Sequence, residues 1–237
     1  PPWQPVRIGQ EAESLRAGTT KLQFPAGRTW VAQHLPEEYE KGCQFADRLE
    51  SRPFVVPISW LHRHTIEPAP DGSRLVDKVD TCLPDRVLRP MFTYRHRQLF
   101  DDLAAHRTLS SPAPLTVAVT GASGLVGSAL VPFLTTGGHR VIRLVRHQPR
   151  GTNERQWDLQ APDPAALADI DAVVHLAGHS IAGRFTASHK KLIGSSRVEP
   201  TRLLARAAAE ANVSVFVSAS AIGYYGASRQ DETLTEE

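Results

Sequence analysis

The stretch Leu-Thr-Val-Ala-Val-Thr-Gly-Ala-Ser-Gly-Leu-Val-Gly occupies residues 115–127 and decides the fold of the second half of the chain. Its apolar, β-branched beginning is typical of a buried strand, and residues 128–136 have the periodicity of a helix. Gly121, Gly124 and Gly127 lie between the two, where glycine permits a tight turn and lets a pyrophosphate approach the helix N-terminus. The pattern predicts a dinucleotide site, although glycines with this spacing also occur in plain turns.

The end of the next predicted strand, residues 139–145, bears on the choice of cofactor. In a NAD site an acidic residue about 20 positions after the glycines binds the ribose hydroxyls. No acidic residue occurs between Ser123 and Arg150, and Arg146 directly follows the strand. Because an Arg at this place can pair with a 2′-phosphate, the sequence predicts NADP (NADPH) in preference to NAD. The alternative is a solvated basic strand end.

Composition excludes several classes of function. The chain has 237 residues, of which 41% are hydrophobic, and its formal net charge is +2. Such a balance argues against binding to nucleic acid, and no apolar run is long enough to span a membrane. Cys43 and Cys82 form no Cys-x-x-Cys pair, which favours a reducing, cytoplasmic location. A small-molecule substrate is therefore the expected partner.

Two unlike halves are separated by Ser-Ser-Pro-Ala-Pro at residues 110–114. Before it, three strands and one amphipathic helix (residues 90–109) predict an α+β layout. The predicted strands cover residues 28–35, 57–67 and 74–83. After it, strands and helices alternate, which predicts an α/β fold with a doubly wound, Rossmann-type parallel sheet.

The domain limits follow from this division. The predicted domains are residues 1–110 and 115–237, joined by a linker at 111–114. Ligands of doubly wound sheets bind at the carboxyl ends of the strands, so residues near three strand ends should line one cleft. The expected cofactor contacts are Gly121, Ser123, Gly124, Leu125, Val126, Gly127, Arg146, Leu176, Ala177, Gly178 and Ser218.

Four motifs of the second half resemble the short-chain dehydrogenase/reductase superfamily. They are Val-Thr-Gly-Ala-Ser-Gly-Leu-Val-Gly at 119–127, His-Leu-Ala-Gly at 175–178, Ser-Ser-Arg-Val at 195–198 and Ser-Ala-Ser-Ala-Ile-Gly-Tyr-Tyr-Gly at 218–226. With the Trp157-Asp158 pair, they resemble more narrowly an atypical family of predicted nucleoside-diphosphate-sugar epimerases. The resemblance implies an NADP-binding epimerase or oxidoreductase that acts on a nucleotide sugar or on another carbonyl or hydroxyl substrate.

The first half is similar to the START-like, polyketide-cyclase-like (SRPBCC) domain that is sometimes fused to this family. The similarity rests on four segments, at residues 27–32, 60–64, 75–79 and 94–99. It implies a helix-grip fold with a site for an apolar ligand. Both resemblances further imply a fragment of a longer protein, with the START-like domain incomplete at its N-terminus and the reductase domain incomplete at its C-terminus.

Catalytic roles are implied by the same resemblance. Active members of the superfamily move a proton with a Ser and a Tyr-xxx-Lys while the nicotinamide moves a hydride. Ser220, Tyr224 and Tyr225 are the matching candidates, but Ala221 stands at the usual position of the Ser and Arg197 at that of an Asn. A non-catalytic NADP-binding sensor or scaffold is therefore the alternative function, and the two tyrosines are then packing groups.

Three further residues are the predicted substrate contacts. His179 follows a strand end, and Arg184 and Arg197 could bind a phosphate or carboxylate through two parallel hydrogen bonds. The alternative for the two arginines is a solvated basic helix.

The histidines of the first half predict no metal site. His62 and His64 alternate along one strand and share a face, and His34 or His96 could join them. No cysteine or acid lies at ligand spacing from this pair in the sequence, so polar groups of a surface or pocket are the expected role.

Overall fold

The computed structural model describes residues 6–55, 57–108, 113–158 and 160–220. The chain divides into two compact units, Pro1–Phe100 and Asp101–Glu237. Among the helices of these described ranges, none is both long and apolar enough to cross a membrane.

The first unit is built on an antiparallel sheet of six strands, each paired with the next along the chain. The strands are β1 (Arg7–Gln10), β2 (Thr19–Gln23), β3 (Thr29–His34), β4 (Gln44–Leu49), β5 (Trp60–Ala69) and β6 (Gly72–Thr81). β5 and β6 form a long hairpin that turns at Pro70 and Asp71. β3, β5 and β6 are the strands expected from the sequence, whereas β1, β2 and β4 were missed.

A long helix, α1 (Asp85–Thr108), follows the hairpin. It begins before the expected start at Pro90, and this proline lies inside the helix. The Phe92 ring packs edge-on against His62 at 5.3 Å and stacks with Trp60 at 6.5 Å between ring centroids. α1 therefore covers the face of the sheet to which His62 belongs.

The second unit contains a parallel sheet of five strands in the order β11-β10-β7-β8-β9. The strands are β7 (Thr116–Thr120), β8 (Arg140–Val145), β9 (Glu154–Gln156), β10 (Ala172–His175) and β11 (Val215–Ser218). The helices are α2 (Gly127–Thr136), α3 (Ala187–Ser195) and α4 (Val198–Glu210). The central strand β7 has the later strand β10 on one side and β8 on the other, so the predicted α/β, doubly wound order is confirmed.

The core of this unit lies on both faces of the sheet. Val117 and Val119 pack with Val131 of α2, while Ala118 between them belongs to the opposite cluster with Leu204 of α4. This alternation along β7 is the pleat of a strand that is buried on both sides. It fixes the carboxyl end of β7 at the middle of one edge of the sheet, where ligands of such folds bind.

Candidate functional site

The glycine turn between β7 and α2 is shaped by close backbone contacts. Gly121 has a φ of +68°, in the left-handed region, and a Cβ there would lie 2.8 Å from Ala177 N. A Cβ on Gly127 would lie 2.3 Å from Gly121 O, and one on Gly124 would lie 3.1 Å from the same oxygen. Gly121 and Gly127 are thus required by packing, and Gly124 keeps the outer side of the turn open.

The outer side of the turn is exposed to solvent. Ser123 and Gly124 are exposed, and the apolar side chains of Leu125 and Val126 are 94% and 61% exposed. α2 begins directly behind them, and a helix N-terminus combines partnerless backbone N–H groups with a positive partial charge. Four of the predicted cofactor contacts therefore lie together on a surface suited to an anionic pyrophosphate.

Thr120, at the carboxyl end of β7, joins this turn to β10. Its hydroxyl donates to His175 Nδ1 at 2.7 Å and accepts from the backbone N–H groups of Leu176 and Ala177 at 3.2 Å each. His175 is 2% exposed, and burial lowers the pKa of its imidazole, which is therefore neutral near pH 7. His175 is a packed core histidine, and the predicted contacts Leu176 and Ala177 are held beside Gly121.

Two of the three predicted substrate contacts meet at the end of β10. The backbone N–H of His179 donates to Ser196 Oγ at 2.9 Å. The guanidinium of Arg197 packs on Gly178, where an added Cβ would lie only 2.8 Å from Arg197 Cζ. The turn between α3 and α4 thus delivers a positive charge to the predicted cleft.

The remaining predicted residues lie apart from this pair or beyond the described part of the chain. Arg184 is exposed in the segment that precedes α3. Ser218 ends β11 and is exposed, as is Ser220 two residues later. Tyr224 and Tyr225 lie outside the described residues.

A pocket with a volume of about 660 Å³ opens beside Arg146, at the carboxyl ends of β8 and β9. Its lining consists of Arg146, Gln156, Trp157, Asp158, Gln160, Ala161 and Asp163. Arg146 is exposed and directly follows β8, whereas Trp157 is only 3% exposed. Sequence reasoning identified Arg146 but gave Gln156 and Asp163 no role. The available signal was the Trp157-Asp158 pair, which the sequence analysis used only as a family motif.

These features fit a dinucleotide. The glycine turn leads into a helix N-terminus and has no room for the Cβ atoms of larger residues. A basic residue lines a pocket at the neighbouring strand end. Residues 117–237 match the sequence model of the NAD dependent epimerase/dehydratase family. The chain belongs to this family.

Individual members of the epimerase family support the assignment. The chain is 43% identical to the nucleoside-diphosphate sugar epimerase from Corynebacterium glutamicum, whose crystal structure matches all of this chain with a TM-score of 0.83. The chain covers 52% of that protein. The first unit therefore also has a counterpart in a solved member of the epimerase family.

Curated relatives match the second half of the chain. Epimerase family protein Mb2239 of Mycobacterium bovis is 44% identical over 117 residues, which are 48% of this chain and 39% of that protein. Epimerase family protein YfhF of Bacillus subtilis is 36% identical over 131 residues, or 52% of this chain and 43% of that protein. The chain thus spans about two fifths of the length of these relatives.

Proposed function

We propose that this epimerase-family chain belongs to an NADP-dependent epimerase or oxidoreductase that acts on a nucleotide sugar or on another carbonyl or hydroxyl substrate. The observation that carries the proposal is the cradle formed by the glycine turn, the N-terminus of α2 and the end of β10. The C. glutamicum relative is a nucleoside-diphosphate sugar epimerase, which supports this substrate class.

The preference for NADP rests on Arg146. Its guanidinium follows β8 and lines the pocket with Trp157 and Asp158, at the place where the adenosine end of a dinucleotide lies in such sheets. A guanidinium can form two parallel hydrogen bonds with a 2′-phosphate, whereas NAD offers it only a hydroxyl.

The remaining predicted residues have positioning or proton-transfer roles in this proposal. When bound, NADP would supply the hydride transfer, and Leu176, Ala177, Gly178 and Ser218 would help to hold it at the strand ends. Ser220 is assigned a hydrogen bond to the reacting oxygen of the substrate. Tyr224 and Tyr225 are assigned the proton transfer.

Substrate binding is assigned to His179, Arg184 and Arg197. The guanidinium of Arg197 is held against Gly178 and so has a fixed place from which to bind a phosphate or carboxylate. Because this arginine stands where the superfamily resemblance places an Asn, it also favours a second candidate, a non-catalytic NADP-binding sensor or scaffold.

The START-like (SRPBCC) assignment of the first unit is part of the same proposal. It is supported by a helix that packs an aromatic face across an antiparallel sheet, with Phe92 against Trp60. Three further statements stay predictions. They are an apolar ligand beneath α1, the domain limits at 1–110, 111–114 and 115–237, and a cytoplasmic location.

A fluorescence titration of the full chain with NADPH and NADH tests the cofactor assignment. NADPH should bind more tightly than NADH, and Arg146→Ala should weaken NADPH at least tenfold while leaving NADH unchanged. Loss of one charge-assisted contact, at roughly 1.5–3 kcal/mol, gives this magnitude. The matched control is Arg150→Ala, an exposed arginine four residues further on. Failure of both nucleotides to bind would overturn the proposal.

A further inference from the structure

A cluster of ionisable side chains is buried in the first unit, away from the predicted dinucleotide site. Asp47 on β4 lies opposite His62 on β5, and His64 lies opposite Asp77 on β6. Directly opposed residues, and residues two apart on one strand, project from the same face of a sheet. The four side chains therefore share the face of the sheet that α1 covers.

Charged groups on this face are largely removed from water. His62 and His64 are each 4% exposed, and the side chains of Asp77 and Asp47 are 1% and 15% exposed. Buried carboxylates need charged or hydrogen-bonded partners, because removing them from water costs several kcal/mol each. Asp77 lies closer to its histidine partners than Asp47 does.

Asp77 is fully provided with partners. Its Oδ1 lies 3.0 Å from His62 Nε2 and 2.7 Å from His64 Nδ1, and its Oδ2 lies 2.5 Å from His96 Nε2. Arg95 Nη2 lies further away, at 3.4 Å from His64 Nδ1, and balances charge on this side. With a cation on the opposite nitrogens, the ring protons would lie on His62 Nε2 and His64 Nδ1, which face Asp77.

The opposite nitrogens of the same two rings face Asp47. His62 Nδ1 and His64 Nε2 each lie 3.8 Å from Asp47 Oδ2. That distance is too long for a hydrogen bond. The three atoms lie within 4.8 Å of one another, so one cation between them would satisfy all three.

We propose that Asp47, His62 and His64 bind one divalent transition-metal ion, with Zn²⁺ as the representative. Asp77 would accept a hydrogen bond from the far nitrogen of each ring, which is how carboxylates orient metal-binding histidines. Two imidazole nitrogens and one carboxylate oxygen suit zinc and its neighbours better than Mg²⁺ or Ca²⁺. Three protein ligands leave a coordination position for water or a ligand group.

The spacing must contract for the ion to bind. Donor atoms around a tetrahedral Zn²⁺ lie roughly 3.3 Å apart, since each Zn–N or Zn–O bond is about 2.0–2.2 Å long. The two 3.8 Å separations from Asp47 Oδ2 exceed this value by about half an ångström, and the three donor atoms all lie within 4.8 Å of one another. Rotation of the side chains must bring them closer. The proposal reverses the expectation of no metal site that came from the histidine spacing alone.

The test is a calorimetric titration of the chelator-treated full chain with ZnCl₂. One ion should bind per chain, and Asp47→Asn should weaken it at least a hundredfold, because it removes the charged ligand. Asp77→Asn, which changes only the positioning of the two rings, should weaken binding about ten- to a hundredfold. The matched control is Asp80→Asn, which lies three residues after Asp77 on the same strand and therefore on the opposite face, and which should leave binding unchanged.

Two outcomes of the titration would overturn the proposal. One is the absence of stoichiometric binding, and the other is binding that Asp47→Asn weakens no more than Asp80→Asn, which would place the ion on other histidines of the chain. X-ray absorption of the zinc-loaded, unsubstituted chain needs no variant to fold. The spectrum should show two imidazole ligands and no sulfur ligand. A coordination sphere made of oxygen atoms alone, or one that contains sulfur, would also overturn the proposal.

Discussion

The parallel sheet of the second unit and the antiparallel sheet of the first are stabilised by different kinds of burial. In the parallel sheet, Val117, Ala118 and Val119 of the central strand are at most 4% exposed and pack against helices on both faces. In the antiparallel sheet, the buried set includes His62 and His64, each 4% exposed and next to carboxylates. Apolar burial is nearly independent of pH, whereas a buried ionic cluster depends on every one of its partners.

The largest effect should come from breaking the tight packing of the parallel unit. Gly121→Ala places a Cβ on a residue in the left-handed region, 2.8 Å from the backbone of Leu176 and Ala177, which directly follow β10. Left-handed strain of about 1–2 kcal/mol adds to overpacking of about 1–3 kcal/mol, and NADPH binding should be lost. Urea unfolding measures the loss of stability.

Gly138→Ala is the matched control for this substitution. Gly138 also has a positive φ, +83°, but an added Cβ meets nothing within 4 Å. It should cost only the strain of about 1–2 kcal/mol. Equal losses for the two variants would show that the approach of β10 to the glycine turn contributes nothing.

A loss of stability of similar size should follow from removing one carboxylate of the antiparallel unit. Asp77→Ala leaves His62, His64 and His96 without their common acceptor, and a broken buried ionic network costs about 3–5 kcal/mol before the site relaxes. Asp80→Ala removes a carboxylate that is 55% exposed and should cost less than about 1 kcal/mol. Thermal unfolding of both variants at one pH compares them, and similar transition temperatures would contradict the contrast between the two sheets.

The smallest effect concerns pH and the rim of the antiparallel sheet. Hydrogen bonds from Arg63 lower the pKa of Glu38 below its ordinary value, so this carboxylate adds stability above about pH 4.3. The contribution should be lost as the pH falls through the lowered pKa. Because both side chains are partly exposed, the gain is less than about 1 kcal/mol. Glu38→Gln should flatten the acid limb of a stability–pH profile, and an unchanged limb would contradict the pairing.

The sequence revealed the parallel unit because its signals are local. The apolar run before Thr120 and the glycines after it predicted β7, the turn and α2 within a residue or two. α3 was missed because Ala187–Ser195 is short and carries His and Lys without an apolar stripe. The packing of Arg197 on Gly178 joins residues that are distant in the sequence, and no local pattern could indicate it.

The antiparallel unit was harder to predict because its strands are polar and its site depends on register. β4, Gln-Phe-Ala-Asp-Arg-Leu, lacks the β-branched residues typical of strands. Asp47 and Asp77 come from the strands on either side of His62 and His64, so the search for an acid at ligand spacing found none. A one-residue change of register would have placed both carboxylates on the other face.

The hydroxyl of Thr120 has a consequence for the kinetics of ligand capture. The Thr120 hydroxyl connects the end of β7 to the end of β10 through three hydrogen bonds that form without any ligand. The two walls of the cleft are therefore preorganised, and a dinucleotide that enters has little backbone to order. Association should be a simple encounter, and the amide hydrogens of Leu176 and Ala177 should exchange slowly with solvent before any cofactor arrives.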